Sequence, residues 1–379
     1  MLKRIKEDRL ILLSALALVS FGLVMVYSAS SVMELRTKGD SAYFLKRQAI
    51  WATGGLIMMM LAWRTDYRKF KYISVPLLAV AFIGLVLALV PGIGAEVNGA
   101  RRWIRVAGLS FQPSEFTKPA LITFVAASLA KRSDRLDDFW FGVGPYLALS
   151  GVFILMVAIE PDLGTAAAIA AVVFVLLFVA GARPRHLGML GLAALPALYW
   201  ELFHVSFRAK RLLAFIDPWK DPLGTGFQTI QSFLAFGGGG LTGRGLGQSR
   251  QKLLFLPEPH SDFIFSVIGE EFGFVGASAV AALFLLFTFC GIRLALKCQD
   301  AFGRNLAFAL TFIIGLQALV NMGVATGLFP NKGMPLPFIS AGGSSVFIAM
   351  LSVGMLLSVS RGQKEGGGEP GRAASAQAR

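Results

Sequence analysis

Cysteine and histidine are almost missing, with two of the first and three of the second in 379 residues. Cys290 and Cys298 lie on or beside one apolar segment without ligand-type spacing, which excludes a disulfide framework and a thiolate metal site. His186, His204 and His260 stand far apart in sequence, so no Ser/His/Asp or Cys/His arrangement is evident. Charge is scarce as well. Asp, Glu, Lys and Arg make up 15% of the chain against 55% hydrophobic residues. A soluble protein of this length could not cover that much apolar surface with so little charge. A nucleotide signature is also absent. The glycine run "GGGGLTGRGLGQ" lacks the strand-then-helix setting of a dinucleotide fingerprint, and no Walker lysine pattern follows. It is expected to be mobile and to let backbone approach a ligand closely.

Long apolar runs fill the space these absences leave. Leu10–Ser28 and Val75–Val90 carry no charge and approach or reach the ~20 residues that cross ~30 Å of hydrocarbon. The expected fold is an all-α integral membrane protein, a single polytopic membrane domain over residues 1–361. About ten transmembrane helices are expected, near 10–28, 46–63, 72–90, 113–130, 141–159, 163–181, 187–203, 266–292, 304–327 and 344–360. The first is too long, and followed by too many others, to be a cleaved signal. Residues 362–379, rich in Gly and Ala, are expected to be a disordered cytoplasmic tail.

Orientation follows from short basic loops. Lys3, Arg4, Lys6 and Arg9 precede the first span, and Arg64, Arg68, Lys69 and Lys71 follow the second. Lys131, Arg132 and Arg135 follow the fourth, and Arg183 and Arg185 the sixth. That side, with both termini and His186, is placed in the cytoplasm. A large extracytoplasmic loop, about 204–265, then joins helices 7 and 8. Within it, Phe227 to Phe236 can form a short interfacial helix, with Trp219 as an anchor. The opposite side still carries Arg101, Arg102, Arg105, Lys118, Arg208, Lys210, Arg211, Arg244, Arg250, Lys252 and Lys332. With a formal charge of +14, these suit anionic headgroups or a phosphorylated ligand at the outer leaflet. Long loops also translocate whatever their charge.

Several polar stretches interrupt the apolar body. In "FLPEPHSDFIFSVIGEEFGFVG", Glu258, His260 and Asp262 gather at the mouth of a helix starting near Ser261, with Glu270 and Glu271 just inside. Ser261 or Asp262 could simply cap that helix. Asp262 could instead face a cavity, where partial desolvation raises its pKa toward a value suited to proton abstraction. Glu270 should share its face and Glu271 should not, and carboxylates at that depth imply function or an internal ion pair. "SFQPSEFTKPA" puts Pro113 at a helix start, Glu115 at a capping position and Lys118 one turn on. Those two form either a local pair or part of the same cavity. In "EPDLGTA", Pro161 is expected to start a helix with Glu160 and Asp162 at its positive end. "LFPNKGMPLPFISAGGSSVFIAM" is apolar yet rich in Pro and Gly, so it should be a re-entrant loop buried in protein. Gly342, Gly343, Ser344 and Ser345 then open a helix whose N–H groups could hold an anion, or merely cap it.

In this order, "NGARRWIRVAGLSFQPSEFTK", "EPDLGTA", "DPWKDPLGTGFQ", "GRGLGQSRQKLLFLPEPHSDFIFSVIGEEFGFVG" and "LFPNKGMPLPFISAGGSS" resemble the SEDS family (shape, elongation, division and sporulation), which includes RodA and FtsW. "RQKLLFLPEPHSDFIF" and "YFLKRQAIW" are closer to the FtsW branch. One departure is Ala341, where the family often has tyrosine. The resemblance implies a ten-span peptidoglycan glycosyltransferase in the plasma membrane, polymerising lipid II on its outer face for division or elongation. It implies Asp262 as the essential aspartate and brings Glu115 and Lys118 into the cavity. Candidate substrate contacts are then Glu115, Lys118, Arg101, Arg102, Glu160, Lys252, His260, Lys332, Ser344 and Ser345. Implied partners are the nascent glycan strand, a class B penicillin-binding protein and other divisome or elongasome membrane proteins, with no nucleic acid. A divalent cation such as Mg²⁺ could assist, although no dedicated cage is visible. Rival functions are a lipid II flippase, which needs a polar path through both leaflets, and a non-catalytic scaffold.

Overall fold

A computed structural model describes residues 7–97, 99–106, 108–131, 136–203, 206–253 and 256–366. Lys3, Arg4, Lys6, Arg132, Arg135, His204 and the tail from 367 onward lie outside the described residues, as do the side chains of Arg208 and Lys210. Twelve α-helices are described: α1 (Glu7–Lys38), α2 (Tyr43–Arg64), α3 (Tyr67–Leu89), α4 (Pro113–Lys131), α5 (Gly144–Ile159), α6 (Leu163–Val179), α7 (Pro184–Phe203), α8 (Ser206–Ile216), α9 (Phe227–Gly239), α10 (Ile264–Lys297), α11 (Ala301–Ala325) and α12 (Gly343–Gly366). Each of the ten expected spans is helical, and α1 and α12 run past the expected ends. α9 is the short helix expected from Phe227, although it buries Ile230, Ser232 and Ala235 in the protein body.

Among the described residues, six helices are long and apolar enough to cross a membrane: α1, α3, the unit Phe139–Ile159 that includes α5, α10, α11 and the Gly343–Gln363 part of α12. α4 falls short on apolarity for a physical reason. It packs against α3, α6, α11 and α12, and most of its residues are buried. A helix wrapped by other helices need not match lipid, so it can carry Glu115, Thr117, Lys118 and Thr123 inside.

The expectation of an all-α chain is corrected by a small antiparallel sheet between α3 and α4. It runs β1 (Gly94–Val97), β2 (Ala100–Val106), β3 (Leu109–Phe111), in that order. Alternation decided this segment. Trp103 and Arg105 share one face of β2, a period of two that no helix can use, and the register with β1 skips Arg102, which forms a bulge between Arg101 and Trp103. Gly99 and Gly108, at φ +75° and +79°, permit the two tight connections.

α10 is broken near its start. Gly273 sits at φ +66°, ψ −163°, which interrupts the helical ladder. The freed groups are taken up by the glycine-rich segment that precedes it. Phe274 N and Val275 N donate to Gly240 O and Leu241 O, while Arg244 N and Gly245 N donate to Glu270 O and Glu271 O. This resembles a short strand laid against a split helix. Backbones can come so close only without Cβ atoms. One added at Gly243 would lie 2.2 Å from Glu271 O, and one at Gly239 would lie 2.0 Å from Gly269 O. The glycine run is therefore braced against a helix through Gly239, Gly240 and Gly243, which corrects the expectation that it is mobile.

Glu270 and Glu271 complete the joint. Glu270 accepts from Ser249 Oγ, Arg250 N and Gln251 N, and Glu271 accepts from Ser28 Oγ and from Lys252 Nζ at 2.8 Å. They form the internal pairings that buried carboxylates require. Gly273→Ala should force a Cβ into a left-handed position 2.4 Å from Gly243 N. It should cost about 1–3 kcal/mol or more. A thermal melt in detergent checks this, with Gly188→Ala, which meets nothing within 4 Å, as the neutral control.

Candidate active site

The candidate site is built where the turn before α10 meets the apolar loop before α12. α10 starts at Ile264, with Phe263 at its cap position and no side-chain cap. Neither Ser261 nor Asp262 caps it, so Asp262 is outside the helix and the expected shared face with Glu270 does not arise. Instead the turn is anchored through its main chain. Asn321 Nδ2 donates to Asp262 O at 2.9 Å and to Met334 O at 2.7 Å. Ser340 Oγ donates to Ser261 O, and Ala341 N donates to His260 O. The loop supplying these partners is buried, as expected, with Leu336, Phe338, Ile339 and Ser340 almost without exposure. Asn321 was not singled out from the sequence. Its only signal is an amide on an apolar helix.

The Asp262 carboxylate is left almost without hydrogen-bond partners, on a residue that keeps some exposure. Among the described residues its one hydrogen bond comes from Ser261 Oγ at 3.2 Å. Burial pushes it up to about 6, with the neighbouring Glu258 adding to the rise. The fields of Arg102 and Arg211 oppose that rise. A base of this strength can take a proton from a hydroxyl near neutral pH, while the two guanidiniums favour developing negative charge. Arg211, midway along α8, stands in the sequence only as one of a basic set.

A second acidic group adjoins. Pro161 does not start α6 as expected. Leu163 does, with Asp162 as its cap, accepting from Thr165 N at 3.0 Å. Asp162 also accepts from Gln112 Nε2, and Gln112 N donates to Ser344 Oγ. Gln112 thus ties the sheet's exit to both α6 and α12. Glu160 ends α5, is fully buried, and is raised to about 8 by burial and then by Asp162. Arg102 offsets part of that rise in both acids. Arg102 is therefore the cation shared by Asp262, Glu160 and Asp162.

Other expected contacts are distributed unevenly. Glu115 and Lys118 form a 2.8 Å pair with both side chains buried, the local pair allowed for above. Arg101 pairs with Glu96 at the exposed edge of the sheet. Lys252 is buried between Glu271 and Ser28, committed to the α10 joint. Lys332 is half-buried, which holds its pKa down, and it lines an apolar cavity of about 240 Å³ between α6 and α11. Ser344 and Ser345 lie in the first turn of α12, buried. His260 is buried against Phe44, ring centroids 4.2 Å apart, and burial with Lys38 nearby lowers it to about 4, so it is a neutral imidazole.

Two larger cavities reach residues beside Asp262. One, of about 780 Å³, is lined by Arg211, Pro257 and Asn331 together with the loop 213–229. The other, of about 460 Å³, is lined by His260 and Ser261 together with α2, β2 and Gly342–Gly343. No group of three or more His, Cys, Asp or Glu able to hold a metal occurs among the described residues.

Residues 8–365 match the family model of FtsW, RodA and SpoVE, described as cell cycle protein. A probable peptidoglycan glycosyltransferase FtsW of Geobacter sulfurreducens is 49% identical over 355 residues, 94% of this chain and 95% of the relative. Stage V sporulation protein E of Bacillus subtilis is 43% identical, covering 95% of this chain and 98% of its own. Among solved structures, a subunit of a peptidoglycan synthase complex that coordinates polymerization and crosslinking superposes with TM-score 0.74 at 31% identity, over 93% of this chain and 96% of that one. RodA of Thermus thermophilus superposes with TM-score 0.67 at 29% identity, over 93% and 95%.

The carboxylate at Asp262 should titrate near 6. Infrared difference spectra against Asp262→Asn measure this directly. Arg102→Gln should move the titration upward, because it removes a cation that favours the charged form. A titration below about 4.5, near the ordinary carboxylate value, would contradict the assigned environment.

Proposed function

Because this chain belongs to the FtsW/RodA/SpoVE family of cell-cycle membrane proteins and is a peptidoglycan glycosyltransferase, we propose that Asp262 is the base with which it polymerises lipid II. The observation that carries this is a carboxylate with a single hydrogen bond, raised to about 6 by burial, in the field of Arg102 and Arg211. Asp262 accepts the proton of the 4-hydroxyl on the acceptor lipid II. That oxygen bonds to the anomeric carbon of the growing strand's reducing-end sugar. The bond from this carbon to the pyrophosphate breaks, and the lipid pyrophosphate leaves with the electron pair. Arg102, Arg211 and Lys332 stabilise its charge.

The remaining candidates take supporting parts. The Glu115–Lys118 pair, Asp162 and Gln112 fix the polar wall that Arg102 faces. Glu160, protonated at neutral pH, keeps that wall from repelling the diphosphate. Arg101 acts at the rim. Ser344 and Ser345 hold the start of α12 against Gln112, and Lys252 holds the α10 joint.

We infer that all ten long helices span the plasma membrane with both termini inside. The basic residues Arg64, Arg68, Lys69 and Lys71 then lie in the cytoplasm. Asp262 and its cations face outward, where lipid-linked precursors are polymerised. The FtsW relatives favour a role in septal synthesis. A class B penicillin-binding protein fits as the crosslinking partner, given the synthase complex that this fold matches.

Asp262→Asn keeps the shape and removes the base, so polymerisation of purified lipid II should fall by about 10²–10⁴-fold. Wild-type activity should rise with pH through about 6 and level off above 7, because the base works only when deprotonated. Full activity in a folded Asp262→Asn protein would refute the assignment. A wild-type protein that moves lipid II across vesicles but makes no strands would favour a flippase.

A further inference from the structure

The 460 Å³ cavity beside Ser261 has a composition that proton abstraction and diphosphate binding leave unexplained. Its size lies within the about 300–1,000 Å³ of small-molecule sites. Two indoles, Trp51 and Trp103, line it, together with the cations Arg47 and Arg105, while Lys38, paired with Glu34 at 2.8 Å, and Glu258 complete the lining with opposite charges. Trp51 is fixed. Its ring stacks on Phe111 at 6.4 Å, meets Phe347 edge-on at 5.8 Å, and lies where a Cβ on Gly343 would be 2.1 Å away. Arg47 is fixed too, donating to Tyr43 Oη at 2.6 Å and to Gly108 O at 2.8 Å. Trp103 is only half-buried and Arg105 is exposed. β2 turns both of these to this cavity, because residues two apart share a strand face. Packing accounts for Trp51 and Arg47. It does not account for an indole and a guanidinium held side by side at an open cavity.

A flat, rigid aromatic surface with neighbouring cations suits a pyranose ring bearing carboxylates. The apolar face of the sugar lies on the indole, and guanidinium groups pair with the acids. Ala341, with its short side chain, lines the same cavity and leaves it open where the family often has a tyrosine. The far wall, Ser261, donates to the Asp262 carboxylate. A sugar seated there would present a hydroxyl toward the base.

We propose that this cavity is a saccharide subsite that seats an N-acetylhexosamine on Trp103 and pairs the carboxylates of its peptide arm with Arg105 and Arg47. This rests on the glycosyl-transfer function above, and deepens it by assigning the sugar and its acidic arm to residues remote from the diphosphate cations.

The test is binding without chemistry. Full-length protein in nanodiscs is titrated with two soluble, lipid-free probes: the disaccharide–pentapeptide of peptidoglycan, and di-N-acetylchitobiose, which has no carboxylate. Wild type should bind both, the peptide-bearing probe more tightly. Trp103→Ala should weaken both by about tenfold, the scale of an aromatic anchor. Arg105→Ala should weaken only the peptide-bearing probe. Its side chain is exposed, so its loss leaves the core untouched, and a thermal melt verifies that both variants fold. Wild-type protein that binds neither probe, or unchanged binding in both variants, would overturn the proposal. Lipid II polymerisation by the same wild-type preparation is measured in parallel. Strands without probe binding sink the subsite alone, whereas no strands sink the glycosyltransferase function.

Discussion

Asp262 is held by its main chain and left almost without partners at its side chain. The Asn321 amide takes its carbonyl, and the adjoining carbonyls of Ser261 and His260 are taken by Ser340 Oγ and Ala341 N. A carboxylate anchored through its own oxygens would lose the acceptor capacity that proton transfer needs. Anchoring the backbone avoids that conflict. It also accounts for an apolar Pro- and Gly-rich loop buried near the end of the chain. That loop is the rigid wall against which the turn is pinned, and Met334 shares the same Asn321 amide. The break in α10 at Gly273 and its glycine-rich brace fix the same turn from the other side.

Charge is arranged around this turn by an irregular strand. β2 pairs Trp103 with Ala95 and Arg101 with Glu96, so Arg102 is the extra residue of a bulge. The charge of Arg102 favours the ionised forms of Asp262, Glu160 and Asp162, while Trp103 and Arg105 line the cavity beside Ser261. The adjacent Arg101 pairs with Glu96. Burial raises the acids and Arg102 moderates that rise, so desolvation and Coulombic attraction set the strength of the base together.

Much of the frame was legible before any coordinates. Apolar runs of membrane length marked the helices, because the bilayer imposes length and apolarity at once. Glu270 and Glu271 stood out because charge inside such runs is costly, whereas Asp262, Glu115 and Lys118 read equally well as caps or a local pair and reach the site through the family resemblance. What escaped had physical causes. β2 is one short strand of mixed polarity, and its period of two is hidden among arginines. The glycine run suggested freedom, whereas its purpose is close packing against a split helix, which depends on a partner far along the sequence. Lys252 looked available and is consumed by Glu271. Asn321 and Gln112 offer at most an amide among apolar residues, and a single amide acquires meaning only from the groups it meets in space. The N-terminus of α10 was placed near Ser261, and those few residues decide whether Asp262 caps a helix or faces a cavity.

The account depends on Asp262 lying beside a crevice open to the outer side of the membrane. Ser261→Cys puts a thiol at that spot, on a chain whose own cysteines, Cys290 and Cys298, are both buried. Right-side-out vesicles are exposed to a membrane-impermeant maleimide, with and without added lipid II. Rapid labelling from outside, slowed by lipid II, is the expected result. Labelling only from the cytoplasmic face, or only after the protein is unfolded, would contradict it.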